Sequence, residues 1–472
     1  MRKTKIIATL GPASSSEAII EKLIKSGVDV FRLNFSHGDH SSHLGAIKKV
    51  KAIAKNLKKP VAILQDLQGP KIRVGKLKNS EPIYLKQGHT VKITTKDVLG
   101  SGSVIPITYK NLHKDVSIGD TILLDDGLMS LRVIEKANKD IICRVLTGGY
   151  LKEHKGINLP NVDVSAPSLT RKDKEDLQFG LVNGVNYVAL SFVRKPQDII
   201  DLKRLMKKNG RTVPIIAKIE KPQAIKRIDE IITVSDGVMI ARGDLGVEMS
   251  TQVVPILQKQ IIAKVNDAGK IVITATQMLE SMMNNPTPTR AEASDVANAI
   301  FDGTDVLMLS GETAQGKYPV EAVKTMVKIA EESEQSPFRI KHREQFDEND
   351  DSSVKAIANS VWYAAKEAKA KAIVVFTLSG STALLIAKQR PEAEIIALTP
   401  LEEAYHKMAL YWGVKPVMSK FGDNTDKMIK KGEELILRKG FLKKGDKVVV
   451  VAGKTYSVGS TNMMKIYKLS EQ

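Results

Sequence analysis

The chain has 472 residues, 42% of them hydrophobic and 5% aromatic, with a formal net charge of +19 and a sequence pI near 9.5. That length favours two or three domains over one, and the composition is that of an ordinary soluble globular protein. A single cysteine, Cys143, rules out an intrachain disulfide and fits a reducing cytoplasm, and no apolar run approaches the length of a membrane span.

The first residues imitate the basic start of a signal peptide, but their apolar run is too short and stops at Gly11-Pro12. Residues 5–10 read instead as a buried strand, followed by strand signatures at 28–35, 61–66, 187–192, 215–220, 238–244, 271–277 and 306–310. Amphipathic helical patterns lie between them, at 16–26, 42–56, 197–208, 221–231 and 253–268. Eight strand–helix units predict a (β/α)8 TIM barrel over residues 1–70 and 166–340. The stretch between the third and fourth strands is far too long for a structureless connection. Its short alternating runs at 83–85, 90–95, 120–126, 131–134 and 141–145, with glycine turns, predict a small all-β lid domain inserted at 71–165. An acidic polar stretch at 346–351 reads as a linker. Beyond it, a helix at 353–370 and strands at 372–376, 395–398, 416–418 and 447–451 predict a doubly wound α/β domain over 352–472.

The chemistry gathers at predicted strand ends. Ile215-Ile-Ala-Lys218-Ile-Glu220 and Gly237-Val-Met-Ile-Ala-Arg-Gly243-Asp244 are consecutive apolar runs that end in charge. Glu220 and Asp244 on neighbouring strand ends make an oxygen-only pair suited to Mg2+ or Mn2+, and Lys218 points into the same mouth. Two carboxylates and a lysine around a metal suit a phosphorylated or enolate-forming substrate. Arg32, in Arg32-Leu33-Asn34-Phe35-Ser36-His37-Gly38, and Arg73, after Asp66, are candidate phosphate clamps, although each also reads as an exposed turn or hinge residue. Thr276 and Ser310 offer strand-end hydroxyls, a position where such residues often only cap. In the last domain, Thr377-Leu-Ser379-Gly380-Ser381-Thr382 follows a strand and opens a helix, which fits either a phosphate nest or an ordinary N-cap.

The excess charge admits a nucleic-acid reading. However, the lysines are scattered and not interleaved with aromatics, as in a solvated basic surface, so no nucleic-acid partner and no membrane partner are expected.

Taken together, the strings Thr4-Lys-Ile-Ile-Ala-Thr-Leu-Gly-Pro-Ala-Ser14, Ile216-Ala-Lys-Ile-Glu-Lys-Pro222, Met239-Ile-Ala-Arg-Gly-Asp-Leu-Gly-Val-Glu248, Thr274-Ala-Thr-Gln-Met-Leu-Glu-Ser-Met282 and Pro288-Thr-Arg-Ala-Glu292 closely resemble pyruvate kinases, over essentially the whole chain. The resemblance implies transfer of the phosphoryl group of phosphoenolpyruvate to ADP, giving pyruvate and ATP, in the cytoplasm. It implies that Glu220 and Asp244 bind the divalent ion, that Lys218 stabilises the phosphoryl group, and that Arg32 contacts the substrate phosphate. Gly243, Asp244 and Thr276 would hold the substrate, with Thr276 near the enolate carbon. Arg73, Lys155 and Asn34 would contact the nucleotide. It also implies a homotetramer and a regulatory role for the C-terminal domain, where Thr377, Ser379, Gly380, Ser381 and Thr382 would hold a phosphate of an allosteric activator. Many members bind a structural K+ through oxygens matching Asn34, Ser36, Asp66 and a following threonine, with a glutamate nearby. Here those last two positions are Leu67 and Lys71. A lost hydroxyl and an ammonium in place of the cation predict an enzyme that does not require K+. The neighbouring alternative is a lyase or aldolase of the phosphoenolpyruvate-binding barrel group, which would need neither lid nor ADP.

Overall fold

A computed structural model describes residues 2–160, 162–338, 353–421, 424–453 and 461–470 of the chain. Eight parallel strands close into a barrel: β1 (Lys5–Thr9), β2 (Val30–Asn34), β3 (Ala62–Leu67), β4 (Tyr187–Leu190), β5 (Ile215–Ile219), β6 (Gly237–Ala241), β7 (Ile271–Ala275) and β8 (Val306–Leu309). Each is nearly continuous in apolar residues because both faces are covered. One face lies against the outer helices, where Phe31, Leu33, Ile63, Leu67, Ile215, Ala217 and Ile219 join one apolar cluster. The other face fills the lumen with Ile7, Val30, Ala62, Leu64, Ile216, Met239 and Ile273. Side chains alternate along a strand, so the next lumen positions after those fillers are Thr9, Arg32, Asp66 and Lys218. Sequence parity alone therefore stacks a polar layer on top of an apolar one.

The helices end where local chemistry stops them. Ser16 caps Glu17–Ser26 by accepting from the Ile19 amide, and Gly27 closes it in a left-handed conformation at φ 119°. Thr170 and Asp173 form a reciprocal capping box for Arg171–Val182, and Thr289 with Glu292 does the same for Arg290–Asp302.

Between β3 and β4 the chain builds a separate all-β unit. Six strands run in the order Ile157–Asn158, Thr121–Leu124, Met129–Ala137, Asp140–Thr147, Thr90–Thr94, Val104–Pro106, with a small second sheet of Gly149–Leu151 and Ile83–Leu85. Its own core holds Ile93, Ile105, Leu124, Leu131, Ile141 and Cys143. The C-terminal unit is a five-stranded sheet in the order Val414–Met418, Glu394–Thr399, Ala372–Phe376, Lys447–Gly453, Thr461–Lys468. The last strand is antiparallel and absent from the sequence reading. Thr-Asn-Met-Met-Lys-Ile-Tyr-Lys lacks the unbroken apolar run of a buried strand because it lies at the sheet edge, with Met464 and Ile466 exposed. The linker expected at 346–351 lies outside the described residues.

The C-terminal unit closes the floor of the barrel. Met408, Ala409, Leu410 and Tyr411 share a buried cluster with the lumen residues Ile7, Val30, Leu64 and Tyr187. The Tyr187 hydroxyl donates to the Lys407 carbonyl at 2.7 Å. With that end sealed, the open end carries the C-termini of the strands and faces the lid.

Candidate active site

The polar layer at the open end forms one connected network. Lys218 Nζ lies 2.9 Å from Glu220 Oε1 and 3.3 Å from Asp66 Oδ1, and donates to Ser191 Oγ at 2.8 Å. Ser191 donates on to Asp66 Oδ1 at 3.2 Å. Arg32 grips the other Asp66 oxygen from two nitrogens at 2.7 Å and donates to Thr9 Oγ1 at 3.1 Å. The Phe192 amide donates to Glu220 Oε2 at 2.8 Å. Buried charges are tolerable only when paired and hydrogen-bonded, and here two cations face two carboxylates, each of whose oxygens has a partner.

The electrostatics follow from these distances. Burial alone would lower the Lys218 pKa, but Asp66 and Glu220 overcome it and hold the ammonium well above its ordinary value. Burial would raise Asp66, yet Lys218 and Arg32 bring it below the usual carboxylate range. Glu220 goes the other way. Burial lifts it, Lys218 pulls it down only in part, and the negative charge of Asp244 raises it further.

Asp244 and Thr276 stand beyond the strands rather than on them, which corrects the sequence reading. β6 ends at Ala241, and Arg242–Glu248 turns at once into a short helix with Asp244 in its first turn. β7 ends at Ala275, and Thr276 then adopts φ 71°. A positive φ is costly for a β-branched residue and persists only where surroundings impose it. Here the Thr276 hydroxyl accepts from the Gly243 amide at 2.7 Å and donates to the Ala275 carbonyl at 2.6 Å. Arg242 fastens the same turn by donating to the Thr276 carbonyl at 2.8 Å and pairing with Asp295 at 2.7 Å.

The donor set fits a divalent cation. No hydrogen bond or ion pair among the described residues engages the Asp244 carboxylate, and its charge is left over once Arg32 and Lys218 have balanced Asp66 and Glu220. Among the described residues no group of three or more His, Cys, Asp or Glu side chains is placed to hold a metal. Two carboxylates with waters and substrate oxygens completing the shell is the manner of Mg2+.

Arg73 and Lys155 lie together at the base of the lid, where Arg73 bridges Gly156 and the Val74 amide donates to the Lys155 carbonyl at 2.9 Å. Lys155 pairs with Asp125 at 2.9 Å and is half-exposed. Asn34 is opposite Asp66 in register, and its Oδ1 accepts from the Ser36 amide at 3.1 Å. The Lys71 and Arg73 charges reach this loop. Burial first, then Arg73, Lys71 and Arg32, lower the pKa of His37.

Leu67 corrects another expectation. Asp66 turns inward, so Leu67 turns outward and is fully buried in the apolar layer against the helices. A side chain there does not face Asn34, Ser36 and Asp66, so a hydroxyl at this position would not join their oxygens.

The C-terminal loop stands apart from this site. The Gly380 amide donates to Thr377 Oγ1 at 3.0 Å, and the Ser379 and Ser381 hydroxyls meet at 3.0 Å. Gly380 takes φ 85° as the N-cap of Ser381–Lys388, and Thr382 is buried in that helix. Ser191 and Thr9 are polar residues of the network, and Glu248 a buried polar residue beside it, that the sequence reading did not single out. For Ser191 and Thr9 the signal was available, since each lies two residues beyond a lumen-facing apolar residue.

A family model described as pyruvate kinase, barrel domain, matches residues 1–323, and one described as pyruvate kinase, alpha/beta domain, matches residues 355–467. The pyruvate kinase of Staphylococcus aureus (strain MRSA252) is 47% identical over 478 residues, covering 100% of this chain and 81% of that protein. The pyruvate kinase of Staphylococcus aureus (strain USA300) matches to the same extent. Among solved structures, a pyruvate kinase from Cryptosporidium parvum is similar with a TM-score of 0.92 and 37% identity, covering 99% of this chain and 96% of that one.

Proposed function

The chain belongs to the pyruvate kinase family, and from that premise we propose that the network around Lys218 is where it carries out the family's reaction. In that reaction a terminal oxygen of ADP attacks the phosphorus of phosphoenolpyruvate. The bond from phosphorus to the enol oxygen breaks, and the enolate takes a proton at carbon to become pyruvate. Phosphoryl transfer needs positioning and charge neutralisation more than covalent help from the protein.

The supporting observation is the Lys218 ammonium, held between Asp66, Glu220 and Ser191 at 3.3, 2.9 and 2.8 Å. Those partners keep it charged and fix its direction, so it meets the transferring group without reorganisation. Arg32 is oriented by Asp66 and Thr9 to bind the substrate phosphate. Gly243 and Thr276 orient the substrate carboxylate, and the strained Thr276 turn brings a hydroxyl to the carbon that is protonated. Arg73 and Lys155 bind the nucleotide from the base of the lid, and Asn34 from the end of β2. Glu220 and Asp244 hold Mg2+ or Mn2+, which when bound supplies positive charge to the substrate oxygens.

Lys71 replaces the monovalent cation, so turnover does not require K+. The Thr377–Thr382 loop binds a phosphate of an activating metabolite, and the enzyme works as a cytoplasmic homotetramer. No helix among the described residues is long and apolar enough to cross a membrane. The deciding assay is coupled pyruvate formation from phosphoenolpyruvate in Mg2+ buffer without K+, with and without ADP. ADP-dependent turnover is expected, and pyruvate release that ignores ADP would replace this reading with a lyase.

A further inference from the structure

Glu248 closes the helix that carries Gly243 and Asp244, and its side chain bonds to Asn158 and Lys221. It is 3% exposed. Its Oε1 accepts from Asn158 Nδ2 at 2.9 Å and from Lys221 Nζ at 2.5 Å. Oε2 is buried with no hydrogen-bond partner among the described residues. These partners come from different parts of the molecule. Asn158 ends the lid strand Ile157–Asn158, which leads back to the barrel. Lys221 follows Glu220, and its ammonium sits 5.7 Å above the ring of Phe192, whose amide holds Glu220.

The rest of the returning strap is fastened nearby. Gln223 donates to the Val162 carbonyl at 3.1 Å, and Arg194 donates to the Val164 and Ala166 carbonyls. Those bonds reach only backbone oxygens. Asn158–Glu248 is the tie in this group that joins a lid side chain to the Asp244 helix. Asn158, Lys221 and Asp244 also line one cleft between lid and barrel.

We propose that Glu248 is a positioning residue, a latch through which the lid and the metal-binding helix set one another's position. When the Asn158 amide leaves, the buried carboxylate keeps Lys221 alone and the buried Asn158 amide loses its acceptor, so separation of lid from helix is disfavoured. Lid closure is thereby coupled to the placement of Asp244, and nucleotide arriving with the lid is met by an assembled site. The inference rests on the assignment of Arg73 and Lys155 to the nucleotide.

The test is a charge swap. Asn158→Asp sets two carboxylates against each other, and Glu248→Gln leaves Lys221 without its anion. The double variant restores one carboxylate, one amide donor and the partner of Lys221. Each single change is expected to raise the KM for ADP about tenfold, the scale of one charged hydrogen bond, with the KM for phosphoenolpyruvate moved far less in Asn158→Asp. The double variant is expected to return to within about threefold of the parent. Hydrogen exchange of residues 157–166 in the ligand-free proteins is expected to rise in both singles and fall again in the double. Melting temperatures of all variants separate this from misfolding. An unchanged ADP KM and exchange rate in Asn158→Asp, or a double variant no better than the worse single, overturns the latch. If the parent shows no ADP dependence, the proposed function has failed, and the exchange measurements still judge the latch.

Discussion

Lys218 on β5 and Glu220, the first residue beyond that strand, stand on either side of Ile219, and their charged ends meet at 2.9 Å. Side chains two apart on an extended chain share a face, so the direction of β5 carried one residue past its end makes the pair, and the Phe192 amide holds the other Glu220 oxygen.

Lys218→Gln removes the ammonium and leaves Asp66 and Glu220 facing each other in a buried layer. We expect kcat to fall by at least about a thousandfold, the scale seen when a preorganised charge is removed from the reacting group. Stability should also drop by about 3 kcal/mol as two buried carboxylates lose their shared partner. Single-turnover kinetics and thermal melts check the two parts separately.

Thr276 combines a hydroxyl with a backbone strained at φ 71°. Thr276→Ser keeps the acceptor for the Gly243 amide and removes the β-branch, so folding stability should rise slightly and most activity should remain. Thr276→Ala leaves that amide unpartnered and should lower kcat by about a hundredfold or more. Equal activities of the two variants would separate the hydroxyl from the chemistry.

Lys71→Glu tests the cation argument. The variant should lose most turnover in K+-free buffer and regain it many-fold when KCl is added at constant ionic strength. The parent should respond little. A parent that is itself activated many-fold by K+ removes Lys71 from that role.

Lys388 gives a pH prediction at the joint between barrel and C-terminal unit. Its ammonium is buried against Asp305 at 2.7 Å and Asn266 at 2.5 Å, and Arg390 holds the other Asp305 oxygen at 2.8 Å. Burial outweighs the attraction of Asp305, Arg390 adds repulsion, and the pKa is pushed down to about 8 from an ordinary 10.5. Between those values the unfolded chain holds a proton that the folded chain has released, so this residue makes stability rise with pH. Below about pH 8 both states are protonated and the full penalty stands, up to about 3 kcal/mol. The melting temperature of Lys388→Met should therefore compare best with the parent at pH 7 and progressively worse towards pH 10. A difference that does not change over that range refutes it.

Much of this was legible because period-2 alternation is a local property. The runs around Lys218, Arg32 and Asp66 declare both strand and facing, and the barrel places their ends together. Leu67 shows how the same rule is misapplied, since one residue beyond Asp66 is the opposite face. Asp244 and Thr276 were read as strand residues and lie beyond the strand ends, because the turns that follow β6 and β7 are set by their mutual hydrogen bond and not by either segment alone. The Glu248–Asn158 tie spans ninety positions of sequence separation and carries no local signature. The C-terminal edge strand was invisible for the opposite reason, being half solvated and lacking an apolar run.

The floor of the barrel is built from a different part of the chain than its walls. Met408, Leu410 and Tyr411 fill the lumen beneath Tyr187 as though they were an inner layer of the barrel itself. The C-terminal unit is thus not an attachment that evolution could exchange freely. Any replacement would have to bring its own plug, shaped to the same apolar socket, and a barrel expressed without one would expose that socket to water. The two regions share a core although they are separate sheets, which makes them joint heirs of one folding problem.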